Sequence, residues 1–197
     1  MHFAEVLVIA ALLSIYGSAD GQVISVGGCP DMSVVDNFEP NKYTGRWYEA
    51  ERVFNPFEVG GSCITGDYTI EEDNFNHPTG NLLVVHSMTN WLGRKISKSA
   101  DAFPLDRSSR KAKYLLKYKG SPFTGPYWIL DTDYDTYSVV YSCTSVLGLL
   151  SFKYVWLLTR LPQAPKYTID NMESVLKKNN LSSILLIKTY QKNCKYT

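Results

Sequence analysis

The sequence lacks a membrane-length hydrophobic run, a closely spaced cysteine pair and a large net charge. Its apolar run at residues 6–16 is shorter than the ~20 residues that a membrane-spanning helix needs. The four cysteines are spaced too widely for a CxxC zinc site. The formal net charge of +1 gives no electrostatic reason to expect nucleic acid as a partner. Repeats, low-complexity tracts and long linkers are also missing, which favours one globular domain.

The N-terminus has the pattern of a secretory signal peptide, because the apolar run is followed by small residues. We predict a signal over residues 1–19 with cleavage after Ala19, or after Gly21 as the second choice. Glu5 comes before the run and no Lys or Arg does, so a weak signal or an uncleaved anchor is the alternative. A secreted chain with an even number of cysteines is expected to form two disulfides, with three connectivities open. Asn180-Leu181-Ser182 is a glycosylation sequon, usable if that turn is exposed.

Short apolar and aromatic segments alternate with turn-forming residues along most of the chain. This pattern is typical of an all-β sandwich or barrel. The predicted strands are 45–54, 62–71, 81–90, 94–103, 111–119, 126–132, 136–143 and 152–160, and a short ninth strand is expected at 184–190.

Two segments alternate clearly enough to assign an inward face. In "KAKYLLKYK" the lysines share one parity, and period 2 places them in water. A basic nucleic-acid surface is disfavoured, because the lysines and the rings point to opposite faces. In "SCITGDYTI" Cys63 falls on the outward parity, free to meet a segment lying against the wall. The inward positions of these two strands include Tyr68, Tyr114, Leu116 and Tyr118.

One helix is predicted late in the chain, after Pro165. Thr168 is the expected N-cap, and acidic residues early and lysines late suit the helix dipole. The helix carries an apolar stripe that we expect to pack on the outside of the sheet. The stripe consists of Ile169, Met172, Val175 and Leu176.

Three motifs resemble those of the lipocalin family. Gly45-Arg46-Trp47 resembles the G-x-W motif of its first strand, Thr132-Asp133-Tyr134 its T-D-Y turn, and Arg160 the arginine that ends its eighth strand. Within that family, "NKYTGRWYE", "TDYDTYSVVYSC" and the cysteine pattern are most similar to apolipoprotein D and the arthropod bilin-binding and Lazarillo-like lipocalins. The resemblance covers residues 29–197. It implies an eight-stranded antiparallel up-and-down β-barrel with one C-terminal α-helix outside.

The resemblance also implies structural roles. Trp47 would plug the closed end of the barrel and Arg160 would lie across the indole, where a guanidinium stacks on an aromatic face. Gly45 lets the chain turn into the first strand without a Cβ. The disulfides implied are Cys29–Cys143 and Cys63–Cys194.

An eight-stranded barrel can hold one small ligand, and its inward positions then form the site. The resemblance selects Leu82, Val84, His86, Met88 and Asn90 on the third strand, and Trp156 on the eighth with Tyr154 and Leu158 of the same parity. Tyr43 matches a pocket position of the family.

Met88 and Asn90 depart from apolipoprotein D, which resembles this chain but has a glutamate and an arginine there. Without those charges the pocket is less able to orient a carboxylate. We therefore expect a neutral hydrophobic ligand, such as a retinoid, sterol, long-chain alcohol, ester or carotenoid. Fatty acids and bilins stay open as alternatives, and ordinary barrel filling is the alternative for each inward residue.

The segment "VLGLLSF" lies between the seventh and eighth predicted strands, at the open mouth in this topology. Exposed apolar clusters commonly contact lipid or a partner. We expect a lipid surface, lipoprotein or receptor to meet this segment through Val146, Leu147, Leu149 and Leu150, although the same residues could fold inward as a lid.

An enzyme is the less favoured class. Nucleophilic catalysis needs a free cysteine or an activated serine beside a base, and the cysteines are assigned to disulfides. His2 lies in the signal, His77 lies in a turn, and His86 stands alone, so neither metal nor cofactor is expected. Two further functions stay open. One is a lipid-antioxidant role through Met88, whose thioether can be oxidised, and one is a surface-anchored signalling role.

Overall fold

The computed structural model describes residues 23–122, 124–182 and 184–196. The predicted signal peptide lies outside these residues. The strands are β1 (Val23–Val26), β2 (Gly45–Arg52), β3 (Ser62–Glu72), β4 (Pro78–Thr89), β5 (Lys95–Pro104), β6 (Lys113–Tyr118), β7 (Thr124–Thr132), β8 (Tyr137–Val146), β9 (Leu150–Thr159) and β10 (Ile187–Lys188). The helices are α1 (Pro40–Tyr43) and α2 (Lys166–Lys178), with a 3-10 turn at Pro56–Glu58.

Strands β2 to β9 form one closed antiparallel barrel. Each strand pairs with the next in chain order, and β9 pairs back with β2. The register places Tyr48 opposite Thr159 and Arg52 opposite Trp156. The predicted eight-stranded barrel is confirmed, and each predicted strand overlaps an observed one. Up-and-down closure follows because short turns join neighbouring antiparallel strands.

β1 and β10 extend the sheet at the barrel seam. β1, which the sequence pattern did not indicate, pairs with the first half of β9. β10 pairs with β2 through Ile187 and Lys188 alone, so the expected ninth strand is shorter than predicted. The chain after β10 stays against the barrel, since the Cys63 N–H donates to the Tyr190 carbonyl and the Gln191 amide donates to the carbonyls of Glu49 and Ile64.

Helix α2 packs on the outer face of the barrel through the predicted stripe. Met172, Val175 and Leu176 are buried against residues of β7, β8 and β9. The predicted N-cap was wrong: Pro165 is the N-cap, and Thr168 lies buried inside the first turn. The Pro165 carbonyl accepts the Thr168 N–H at 3.0 Å, so the helix begins immediately after the proline. No helix in the described parts of the chain is long and apolar enough to cross a membrane.

Two disulfides fasten the ends of the chain to the barrel. Cys29 bonds to Cys143 on β8, and Cys63 on β3 bonds to Cys194. Both bonds match the pairing that the resemblance implied. Each closes a loop of more than a hundred residues, which strongly restricts the unfolded chain.

Candidate functional site

The closed end of the barrel is sealed by Trp47 and Arg160. The indole is fully buried and its N–H donates to the Tyr43 carbonyl at 2.9 Å. The guanidinium carbon of Arg160 lies 3.7 Å from the indole centroid, and its nitrogens donate to the carbonyls of Tyr134, Arg46 and Lys42. These bonds hold a cation across the ring, and solvent cannot enter the barrel beneath Trp47.

Gly45 and the β7–β8 turn support this seal. Gly45 has φ +92°, and a Cβ there would come within 3.3 Å of the Arg160 guanidinium. In the turn, the Asp133 carboxylate accepts the N–H groups of Thr136 and Tyr137, while the Thr132 hydroxyl accepts that of Tyr134. Gly45 and the β7–β8 turn therefore both fix the backbone conformation at the closed end of the barrel.

The inner face of the barrel carries nearly all the predicted pocket residues. Exposure is graded along the barrel axis. Tyr43, Tyr68, Leu82 and Val84 near the closed end are at most 2% exposed, whereas residues toward the mouth are partly exposed. The partly exposed set is His86, Met88, Leu116, Tyr118, Tyr154 and Trp156. Tyr114 and Leu158 are buried in the same inner cluster, and Tyr154 stacks on Trp156.

Asn90 has a different position from the rest of the predicted set. Its side-chain oxygen accepts the backbone N–H groups of Leu92 and Arg94, so the residue closes the β4–β5 turn at the mouth. Such a local bond is the usual role of asparagine in turns.

A chain of hydroxyl groups and one imidazole runs through the inner cluster. Tyr43 contacts Ser138 at 2.9 Å, Tyr68 contacts Tyr127 at 2.6 Å, and His86 Nδ1 lies 2.6 Å from the Tyr118 hydroxyl. Contacts of 3.4 Å connect these pairs to one another. The chain satisfies polar groups that burial would otherwise leave unpaired.

Burial keeps these groups uncharged at neutral pH. Desolvation raises the pKa of the Tyr43 phenol to about 12 and lowers the pKa of the His86 imidazole to about 4. The inner wall therefore presents rings, aliphatic groups and neutral hydrogen-bonding groups to a ligand.

A buried ionic cluster near the mouth was missed by the sequence reasoning. Arg52 Nη1 donates to Glu49 Oε1 at 3.0 Å, and Arg52 Nε lies 3.1 Å from Glu58 Oε2. Desolvation and the nearby Glu58 charge raise the pKa of the Glu49 carboxyl. From Met88 and Asn90 we expected a pocket without charges. This expectation needs correction, because β2 and the loop between β2 and β3 supply charged side chains near the mouth.

A β-bulge explains why no sequence pattern revealed this cluster. The register of β2 against β9 shifts between Glu49 and Glu51, so Glu49 pairs with Leu158 and Arg52 with Trp156. Both partners belong to the inner cluster. Glu49 and Arg52 have opposite parity in the sequence, and only the extra residue of the bulge puts them on one face.

The mouth is surrounded by exposed apolar side chains from three loops. Phe57, Trp91 and Leu147 are 79%, 78% and 89% exposed. The remaining exposed apolar residues of these loops and their flanking strand ends are Val59, Leu92, Val146, Leu149 and Leu150. The β8–β9 turn is therefore exposed, as expected. The β2–β3 loop and the β4–β5 turn also expose apolar side chains.

The sequence and the fold both match known proteins. The family model described as "Lipocalin-like domain" matches residues 38–191. Apolipoprotein D of Bos taurus is 35% identical over 95% of this chain and 95% of its own length, and the Lazarillo protein of Schistocerca americana is 31% identical over 93% and 83%. The structure of insecticyanin from Manduca sexta superimposes with a TM-score of 0.73 at 22% identity, covering 86% of this chain and 89% of that one. The sealed barrel, its motifs and these matches together show that the chain belongs to the lipocalin family.

Proposed function

We propose that this protein is an extracellular carrier of a small hydrophobic ligand of the retinoid, sterol, lipid or pigment class. The graded exposure of the inner wall carries the proposal. The barrel is sealed at Trp47 and accessible toward the mouth, where rings and aliphatic groups line it. A cleft closed at one end and lined by apolar groups with a few polar ones is the usual form of a small-molecule site. The proposed contact residues are the inner-wall set from Tyr43 to Leu158 described above.

The surroundings of the barrel support an extracellular location. All four cysteines form disulfides, which persist in oxidising compartments. Asn180 of the sequon is exposed immediately after α2, so a glycan attached there would extend into solvent. A relative is named bilin-binding protein, from Pieris brassicae, which favours a pigment or similar ligand as a candidate.

Tryptophan fluorescence of the delipidated protein tests the carrier proposal. Retinol, a sterol, a long-chain alcohol, a bilin and a fatty acid form the panel. We expect saturable one-to-one quenching by at least one ligand of the panel. Trp156→Phe should remove most of the response, because Trp156 lies on the inner wall. Trp128→Phe, outside the barrel, should keep it. No saturable response to any ligand would contradict the proposal.

We also propose that the mouth docks on a lipid surface to collect or deliver the ligand. The exposed apolar side chains of the β2–β3 loop, the β4–β5 turn and the β8–β9 turn surround the only route to the inner wall that the described residues leave open. Their exposure at one end is what supports membrane or lipoprotein contact.

Liposome flotation tests this second proposal. Leu149→Ser with Leu150→Ser should weaken binding. Phe75→Ser with Leu105→Ser is the matched control, because these residues are exposed at the closed end. Equal flotation of the wild type and the mouth variant would contradict lipid docking.

The enzymatic alternative to a carrier differs in stoichiometry. Consumption of more than one equivalent of ligand per protein would favour an enzyme over a carrier.

A further inference from the structure

The hydroxyl groups and the imidazole inside the barrel form one line of hydrogen-bonding groups, which we call the polar chain. It begins beside the sealed end, where Tyr43 also holds the Trp47 indole, and ends at the last residue of β6, toward the mouth. A Cβ on Gly66 would lie 2.7 Å from the Tyr68 ring, so this glycine leaves the ring its place. In order, the polar chain consists of Ser138, Tyr43, Tyr127, Tyr68, His86 and Tyr118.

The polar chain carries one more hydrogen than its contacts need. Each hydroxyl has one hydrogen and a neutral imidazole has one N–H, so six donors serve five contacts. The His86 imidazole is neutral at neutral pH, because desolvation lowers its pKa to about 4. One hydrogen must therefore point out of the polar chain, and its position fixes the direction in which every other group donates.

The surplus hydrogen is costly at each buried member. Ser138, Tyr43, Tyr127 and Tyr68 are at most 7% exposed, and outside the polar chain the described residues give their hydroxyl groups no acceptor. A buried donor without an acceptor loses its hydrogen bond to water and gains nothing in return. His86 cannot hold the surplus either, because both ring nitrogens would then have to accept, and a neutral imidazole has one N–H.

Tyr118 is the member that remains. It is partly exposed on the inner wall, and its 2.6 Å contact with His86 is only partly buried. Every buried hydroxyl then donates toward the mouth, so Tyr68 donates to His86 Nε2 and the Nδ1–H of His86 donates to the Tyr118 hydroxyl oxygen. Within the described parts of the chain this hydroxyl has no other hydrogen-bond partner, so its own hydrogen is available to the ligand space.

We propose that the polar chain donates in one direction, toward the mouth, and that Tyr118 is the specificity-determining donor of the pocket, which selects ligands with a carbonyl or ester oxygen. This inference rests on the proposed carrier function and specifies one polar group of its ligand. Tyr68 and His86 are positioning residues, because the hydrogen bonds they donate leave the Tyr118 hydrogen free for the ligand.

Nitrogen-15 NMR of the histidine side chain tests the direction of the polar chain without any ligand. We expect His86 to carry its hydrogen on Nδ1 at neutral pH, since Nε2 accepts from Tyr68. The His77→Gln variant leaves His86 as the only histidine after residue 2, which assigns the signal. A hydrogen on Nε2 would reverse the bond between His86 and Tyr118 and overturn the proposal.

Two ligands of the same shape test the role of Tyr118. One is methyl nonyl ketone, and the other is the alkene in which a methylene group replaces the carbonyl oxygen. In isothermal titration calorimetry, Tyr118→Phe should weaken binding of the ketone about three- to tenfold, because one hydrogen bond is lost. The alkene accepts no such bond, so its affinity should stay unchanged and report an intact barrel.

Tyr141→Phe is the matched control, because Tyr141 lies between the barrel and α2 and its buried hydroxyl has no partner among the described residues. It should leave both affinities unchanged. Equal effects of Tyr118→Phe on the ketone and the alkene would overturn the donor role of Tyr118 and leave the carrier function intact. If neither ligand binds the wild type, the carrier function fails together with the ligand role of Tyr118, and the His86 tautomer still tests the direction of the polar chain.

Infrared spectroscopy decides the role of Tyr118 if Tyr118→Phe does not fold. A ketone that accepts a hydrogen bond from Tyr118 should show its carbonyl stretch in the wild-type complex at lower frequency than in hexane. An unshifted carbonyl stretch would overturn the proposal.

Discussion

Strands β7, β8 and β9 each build two cores, one inside the barrel and one between the barrel and α2. Neighbouring residues divide between them: Val140 belongs to the inner cluster and Val139 to the outer, and Leu158 is inner where Leu157 is outer. Strand alternation produces this division directly. The two cores are therefore equally determined by the sequence pattern, yet their chemistry differs.

The inner core is rich in tyrosine and the outer core is mainly aliphatic. Inside, the hydroxyl groups of Tyr43, Tyr68 and Tyr127 form a hydrogen-bonded chain. Outside, Met172, Val175 and Leu176 of α2 pack on aliphatic wall residues. The outer core stabilises the fold through packing and the Cys29–Cys143 disulfide, whereas the inner core combines packing at the closed end with polar, partly exposed groups at the mouth. Stability and ligand recognition should therefore be separable by mutation.

The largest effect is expected at the closed end of the inner core. Trp47→Ala should lower the free energy of unfolding by about 3–5 kcal/mol, because it leaves a large cavity and removes the surface on which Arg160 stacks. Urea denaturation measures the change. Trp156→Ala at the mouth should cost clearly less stability and should instead weaken ligand binding. Equal losses of stability in Trp47→Ala and Trp156→Ala would contradict a difference between the closed end and the mouth of the inner core.

The outer core should affect stability without affecting ligand affinity. Leu157→Ala should cost about 3 kcal/mol, since the side chain is fully buried beneath α2. Ligand titration of the folded variant should give the wild-type affinity. A large loss of affinity in this variant would join the two cores functionally and contradict their separation.

The inner core should respond to acid through His86. The unfolded chain binds a proton on this histidine below about pH 6.5, whereas burial lowers the folded pKa to about 4. Stability is therefore lost as the pH falls through this window. The loss should be about 2 kcal/mol, after a discount for partial exposure of the ring.

Denaturation at about pH 7.5 and about pH 5 measures this effect. His86→Gln should flatten the pH dependence in part. His77→Gln, at an exposed histidine of the β3–β4 turn, is the control and should change the pH dependence less than His86→Gln does. Identical slopes for the wild type and His86→Gln would rule out His86 as the source.

The smallest effect is expected at a charge pair outside both cores. Arg46 donates two hydrogen bonds to Asp67, and both side chains are about one-third exposed. Arg46→Gln should cost less than about 1 kcal/mol, and the cost should shrink in high salt. A cost comparable to that of Leu157→Ala would mean that surface charge contributes as much as core packing.

Much of the fold and part of the site could be predicted from the sequence. The "KAKYLLKYK" alternation placed Tyr114 inside, and the late apolar stripe predicted that α2 packs through Met172. The start of α2 was missed because a buried threonine and a capping threonine look alike in sequence. The short strand β1 was missed because its partner is the first half of β9, which is far away in the sequence and which β2 leaves unpaired.

The sequence by itself determined the all-β pattern of strands through period-2 alternation and turn residues, and the Trp47 and Arg160 motifs indicated the barrel through their resemblance to the lipocalin family. Only the tertiary structure decided the ionic cluster at the mouth. A bulge turns Arg52 to the face of Glu49, the loop between β2 and β3 adds Glu58, and Thr189 comes from 137 residues away. No periodicity or residue spacing in the sequence indicates such a cluster, because it depends on which distant backbone segments the closed barrel brings together.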